Sequence, residues 1–313
     1  MRTDFSHLPA RNQRELDAIV RAIFEEFEDE HKLATGDRKM GRILKIILYG
    51  SFASGKWIYE PTTKKGYRSD YDILVIVNQD ELADPMHWLN LEDRLSRDFA
   101  ILQRVRHPVG LIVHSLQEVN NNLSEGRYFF IDIVEDAIAL YQSDESELAT
   151  PRPKSAADAL ALTEEYFEDW YPSAGEFFDA FEFGLQRKRY KFSAFQLHQS
   201  AERLYHALLL TCTLYTPHSH NLAFLSKQAK RIDQRLVHVW PDDTRMMRRR
   251  FNLLKDAYVK ARYSKHYRIS ADDLIWLGEQ VAELSRVVQD VCLERIAALK
   301  VVALKPPRSA PDG

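Results

Sequence analysis

Residues 43–55 and 69–77 constrain the fold of this 313-residue chain more than any other stretch. Ile43-Leu44-Lys45-Ile46-Ile47-Leu48-Tyr49 is an apolar run closed by Gly50-Ser51, and Ser69-Asp70-Tyr71-Asp72 opens a second run that continues to Val77. Short apolar runs bounded by turn residues predict buried strands. Residues i and i+2 of a strand share a face, so Asp70 and Asp72 present adjacent carboxylates where the second strand begins. Two carboxylates held that close repel each other unless a cation lies between them. A hard, oxygen-seeking ion such as Mg²⁺, shared with the phosphates of a nucleotide, suits such a pair. Gly50 lets a phosphate approach the backbone, Ser51 adds a hydroxyl donor, and the N-terminus of a following helix supplies N–H groups. Strand, Gly-Ser turn, helix and an Asp-x-Asp strand meet the needs of metal-dependent nucleotidyl transfer. A solvated aspartate pair at a strand start is the alternative.

Gly50 to Lys56 also spells Gly-Ser-Phe-Ala-Ser-Gly-Lys, close to a Walker A loop. Such a loop needs a Ser or Thr hydroxyl next, to hold Mg²⁺. Trp57 offers no oxygen, and the Walker reading fails.

With Gly50, Ser51, Asp70 and Asp72 in this order, residues 42–141 resemble the DNA polymerase beta-like nucleotidyltransferases, in particular the small bacterial members related to kanamycin nucleotidyltransferase. The resemblance implies that Gly50 and Ser51, with Lys56 and Ser69 beside them, bind the triphosphate of ATP or another nucleotide. It implies that Asp70 and Asp72 hold Mg²⁺, as one ion or two, and are catalytic. The family's third carboxylate sits on a later strand, which here reads Pro108-Val109-Gly110-Leu111-Ile112-Val113-His114 and has none. The loop from Trp57 to Arg68 is also longer than the family's, and it carries Lys64, Lys65 and Arg68.

A chain of this length suits two domains. Its 45% hydrophobic and 28% charged residues are those of an ordinary globular protein. The net charge of −3 argues for no anionic partner, but its distribution is uneven. Residues 155–183 hold 8 acidic and no basic residues, whereas residues 184–268 hold 18 Lys and Arg against 5 Asp and Glu. The second stretch suits an anionic partner such as RNA, or pairs with the acidic helices, or is simply a set of solvated faces. Cys212 and Cys292 lie in apolar helical contexts and read as small core residues of a reducing compartment, not a disulfide. The polar N-terminus has no signal-peptide core, and no apolar run reaches membrane-spanning length. The expected location is the cytoplasm, with no membrane partner.

Helical periodicity covers Arg14 to Glu28, strands are predicted at 43–49, 72–77 and 109–114, a helix at 85–105, and a short edge strand at 138–141. Pro151, Pro153 and mixed charge mark residues 143–158 as a linker. The remainder is helical. Ala194, Leu197, Ala201, Leu204 and Leu208 form one apolar stripe; Phe251, Leu254, Tyr258 and Ala261 form a second. Leu274, Leu277, Val281, Leu284, Val288 and Val291 mark the last long helix, and residues 301–313 form a proline-rich tail expected to be disordered. Arg262 and His266 lie four apart and on a helix share a face. An arginine beside an imidazole suffices for metal-free RNA cleavage; a surface arginine and a helix-terminal histidine are the bland alternative. His218-Ser219-His220 reads as a helix-start turn, His198 and His206 as packing residues, and Arg245, Arg248, Arg249 and Arg250 as a basic cluster that grips phosphates or faces solvent.

The segments Phe195-Gln196-Leu197-His198-Gln199-Ser200-Ala201-Glu202-Arg203-Leu204-Tyr205, His220-Asn221-Leu222 and Ala261-Arg262-Tyr263-Ser264-Lys265-His266-Tyr267 resemble the HEPN family over residues 160–295. That resemblance implies a helical bundle, a homodimer, and for many members ribonuclease activity from an Arg and a His with four to six residues between them. Here three residues separate Arg262 from His266, the catalytic candidates. The expected architecture is an α/β nucleotidyltransferase-like domain over residues 1–142, followed by an all-α HEPN-like bundle over 159–300. The expected reaction is transfer of a nucleoside monophosphate, AMP first among them, from a triphosphate to a hydroxyl on a protein tyrosine, an RNA end or a small molecule. In related two-component systems the acceptor is a tyrosine beside the nuclease motif, which points to Tyr267 first and Tyr263 second. A HEPN ribonuclease regulated by the first domain, and a non-catalytic nucleotide- or RNA-binding module, are the other readings.

Overall fold

The computed structural model describes residues 1–31, 40–57, 69–143, 147–217 and 219–304. Lys64, Lys65, Arg68, His218, part of the predicted linker and most of the predicted tail lie outside the described residues. The chain divides into Met1–Pro153 and Lys154–Gly313, each with its own hydrophobic core.

In the first unit the apolar runs become β1 (Ile43–Tyr49) and β2 (Tyr71–Val77), and every residue of both is buried. With β3 (Val109–Ser115) and β4 (Ile138–Gln142) they form one sheet in the order β3-β2-β1-β4. β1 pairs antiparallel with β2 and β4, and β2 pairs parallel with β3. The antiparallel β1–β2 step passes through α2 (Gly50–Ala53), and the parallel β2–β3 step crosses through α3 (Leu89–Ala100), as parallel neighbours require. Tyr71, Ile73, Val75 and Val77 on one face of β2 join Leu16, Ile19 and Ile23 of α1 (Ala10–His31) and Leu91 and Leu95 of α3 in the core. Asp72 therefore belongs to the opposite face, where α4 (Leu116–Ser124) and α5 (Tyr128–Asp136) lie.

The helix expected over 85–105 is shorter than its apolar pattern. Asp84 caps a 3₁₀ turn from Pro85 to Trp88, and the helix proper ends at Ala100. Beyond it Gln103 adopts φ 51°, which no helix continues through.

The second unit consists of α6 (Ala156–Gln186), α7 (Tyr190–Thr213), α8 (Leu222–Ile232), α9 (Arg245–Tyr263) and α10 (Ala271–Ala303). α7 is central and touches the other four. Its predicted stripe is fully buried, as are Leu274, Leu277, Val281, Leu284 and Val288 on α10. Being buried nearly all round, α7 must pair its polar side chains internally. Cys212 and Cys292 turn out to be neighbours: their thiols share a hydrogen bond, which with burial pushes the Cys292 thiol up, and both remain free. No helix of the described residues is long and apolar enough to cross a membrane.

Candidate functional sites

In the α/β unit, Gly50 has φ +73°, and a Cβ added there would stand 2.6 Å from Asp72 Oδ2. Only glycine fits this position. Tyr49 is the cross-strand partner of Asp72, so the turn after β1 closes directly over that carboxylate. Asp72 is 2% exposed; Asp70, one residue before β2, is half-buried. The helix expected after the turn is a single turn of four residues, so it has no developed N-terminus to aim at phosphates. Ser51 lies on that turn, its carbonyl accepting the Lys56 amide at 2.9 Å, and Lys56 itself is exposed. Trp57, at the position that excluded a Walker loop, stacks on Phe52 with centroids 5.5 Å apart.

His107 was not singled out from the sequence. Its Nδ1 lies 2.7 Å from the carbonyl of buried Ser69, and since a carbonyl only accepts, Nδ1 donates. The ring packs edge-on against Phe52 and Tyr71 at 4.8 and 5.3 Å. The Tyr71 amide donates to Pro108 at 2.8 Å. Tyr71, between the two aspartates, points into the core, donates its hydroxyl to Glu15 at 2.9 Å and accepts from Asn12 at 2.7 Å. Burial first, then the Glu15 charge, drives that phenol far above its ordinary range. The carboxylate pair is thus set on a backbone clamped on both sides.

On β3 the residue opposite Asp72 is Gly110, and no residue of that strand carries a carboxylate. His114, further along the same face, has Nδ1 2.8 Å from Glu118 Oε2. Among the described residues no group of three His, Cys, Asp or Glu converges as a ligand set. A Mg²⁺ ion fits Asp70 and Asp72 only in the manner of nucleotide enzymes, with its other oxygens from phosphates and water.

The helical unit holds a second constellation. Arg262, exposed on the last turn of α9, donates from Nε to the Tyr258 carbonyl at 2.6 Å. Its guanidinium lies over the rings of Tyr258 (4.4 Å), Phe195 (4.9 Å) and Tyr263 (4.9 Å). His266 does not share this face. α9 ends at Tyr263, Ser264 is extended, and the His266 amide bonds to Ser264 Oγ at 3.2 Å. Two long-range contacts draw the chain off the helix: Lys191 Nζ donates to Ser264 O at 2.7 Å, and the Tyr267 hydroxyl donates to Leu253 O at 2.9 Å. Tyr267 is 4% exposed and its hydroxyl is engaged, whereas Tyr263 is 75% exposed. Of the two tyrosines it is Tyr263, not Tyr267, whose hydroxyl is open to solvent.

Glu202 on α7 gathers three histidines. Its Oε1 lies 3.0 Å from His220 Nδ1 and 3.9 Å from His206 Nε2; its Oε2 lies 3.4 Å from His198 Nε2. His198 Nδ1 donates to Leu254 O at 2.9 Å, and His206 Nδ1 lies 2.6 Å from Thr216 Oγ1. Burial raises the Glu202 carboxyl, but the nearby imidazoles of His198 and His220 outweigh it and hold the group below its ordinary range. Of the basic cluster, Arg249 and Arg250 each reach Asp273 at 3.1 Å, and Arg248 bonds to Asp242 O. Those three have structural partners.

No curated protein matches the chain. Residues 167–291, from within α6 to within α10, match the family model of the HEPN domain, and the helical unit of this chain is therefore identified as a HEPN domain.

Proposed function

We propose that the α/β unit is a nucleotidyltransferase that moves a nucleoside monophosphate, AMP by preference, from a triphosphate to a hydroxyl. The observation that carries this reading is the close approach of the Gly50 backbone to Asp72, so tight that an added Cβ would stand 2.6 Å from Asp72 Oδ2, which sets the glycine turn directly beside the carboxylate. Asp70 and Asp72 would hold Mg²⁺, whose positive charge offsets the phosphate oxygens; Gly50, Ser51 and Lys56 would lie along the triphosphate. Incubation with Mg²⁺ and labelled triphosphates, followed by analysis of what becomes labelled, tests the activity. Asp70→Asn with Asp72→Asn removes charge at almost constant volume and should abolish Mg²⁺-dependent triphosphate binding. Equal affinity in the double variant and the parent, by calorimetry, would refute the site.

A second reading concerns the HEPN domain and rests on Arg262, an exposed guanidinium held against Tyr258 and Phe195. Aromatic faces beside a cation suit the bases and phosphates of single-stranded RNA. The domain is read as an RNA-cleaving module that works without metal. Cleavage of a labelled RNA in EDTA tests it. The first domain then regulates the second, with exposed Tyr263 as the acceptor hydroxyl. Intact-mass analysis after incubation with ATP and Mg²⁺ should give an adenylyl adduct that disappears in Tyr263→Phe and persists in Tyr267→Phe. Both domains are read as working in a homodimer.

A further inference from the structure

We propose that the acid–base group of the HEPN domain is His220, positioned by Glu202 and set beside Arg262 across the ring of Tyr258, and that His266 takes no part. The proposal rests on the RNA-cleaving reading and assigns its reacting residue.

His220 lies two residues before α8 begins. Asn221 caps that helix, its Oδ1 accepting from the amides of Ala223 (3.1 Å) and Phe224 (3.3 Å), so the backbone at His220 is fixed. The side chain is 58% exposed, while Glu202, 3.0 Å from its Nδ1, is almost fully buried. A carboxylate only accepts, so Nδ1 carries the proton and Nε2 is left to take one from a substrate. The ring stacks on Tyr258 at 4.2 Å and 17°, which fixes its second degree of freedom. Arg262 lies 4.4 Å over the same tyrosine. Tyr258 therefore joins an exposed imidazole and an exposed guanidinium, each packed on its ring. This is the orienting logic of a base held by a buried carboxylate, next to a cation for the developing charge. Among the described residues, His220 meets Glu202 from α7 and Tyr258 from α9; His198 and His206 in turn meet Glu202, and Arg262 meets Tyr258. His198 and His206 are buried and act on Glu202, not on a substrate. His266 is exposed beyond the end of α9, and among the described residues no carboxylate lies within ion-pair distance of it.

The step is a transesterification within the RNA strand. Nε2 of His220 removes the 2′-hydroxyl proton and the 2′-oxygen forms a bond to the adjacent phosphorus. The bond from phosphorus to the 5′-oxygen breaks, and the 5′-oxygen leaves with the proton returned from the imidazolium. The products are a 2′,3′-cyclic phosphate and a 5′-hydroxyl, with no water, metal or oxidant consumed. Arg262 neutralises the non-bridging oxygens.

The test uses the full chain in EDTA with a labelled single-stranded RNA, and reads rate and product ends. His220→Ala and His220→Gln should each cut the rate at least about 100-fold, as expected for loss of a general base. His220→Gln keeps a donor for Glu202, and its melting curve should match the parent's, which separates loss of the base from loss of the fold. His266→Ala should cleave near the parent rate. Glu202→Gln should slow cleavage, because the carboxylate that fixes the proton on Nδ1 is gone, and Glu202→Asp, which keeps that acceptor, should restore it. Cleavage at the parent rate by both His220 variants, or its loss in His266→Ala, overturns the assignment while the ribonuclease reading stands. If the parent leaves the RNA intact, the ribonuclease reading fails and the assignment falls with it.

Discussion

Gly50 is the residue at which a single methyl group decides most. Alanine there meets Asp72 Oδ2 at 2.6 Å and must also hold φ +73°. The backbone cost is about 1–2 kcal/mol, and the close contact adds to it. Gly50→Ala should lower the stability of the α/β unit in urea by at least that amount. In an Asp72→Ala background the added cost should shrink to the backbone part alone, and a double-mutant cycle reads the difference as coupling. Equal cost in both backgrounds would mean that the two residues do not touch. Gly50 and the Asp pair were legible in the sequence because a turn residue and an i, i+2 spacing are local signals. His107 and the His220–Glu202 pair were not. Their partners stand 38 and 18 positions away, and a lone histidine in sequence carries no mark of the carboxylate or carbonyl it will meet.

At the scale of elements, the strands were legible for the same reason that they are buried. β1 and β2 are short apolar runs between turn residues, and only a sheet core can accommodate them. Helix ends set by tertiary contacts were not legible. Arg262-Tyr263-Ser264-Lys265-His266 contains no Gly or Pro to stop α9, which ends because Lys191 and Leu253 hold the segment that follows. α10 begins with a capping box in which Ser270 and Asp273 bond each other's backbone, while Arg249 and Arg250 bind the Asp273 carboxylate. Burial raises this carboxyl, but the bonds from Ser270, Arg250 and Arg249 prevail and lower it from 3.8. A carboxyl depressed by folding stabilises fully above its unfolded value, and that contribution is lost as pH falls through the folded value. Asp273→Asn should cost about 1–2 kcal/mol at neutral pH, as loss of a charged cap does. Below about pH 4 the parent should lose stability more steeply than the variant, closing the gap. A constant gap from pH 7 to pH 2, by chemical denaturation, would remove the ionised cap from the account.

At the scale of the whole molecule, two separate cores imply two folding units. Buried side chains of the helical unit, from Ala174 to Cys292, form one cluster, and those of the α/β unit, from Leu8 to Ile138, form another. A core of that extent on five helices is enough for independent folding. The helical unit also exposes Phe183 on α6 and Phe192 on α7, at 48% and 43%, and these residues flank Gly184, where an added Cβ would stand 2.7 Å from the Phe192 ring. Large apolar side chains left in water near one another are the usual mark of a surface that another chain covers. The expected occupant is a second copy of the same unit, since a twofold contact buries the same patch twice. A fragment of residues 154–304 should therefore fold with one cooperative transition and sediment as a dimer at micromolar concentration. Phe183→Asp with Phe192→Asp should convert it to a folded monomer, because a paired interface cannot accept two unpaired charges on each side. The full chain should follow its helical unit in both states. A fragment that is monomeric before substitution, in agreement with a monomeric full chain, would leave the exposed aromatics without a partner of this kind and rule out the self-association expected of this domain.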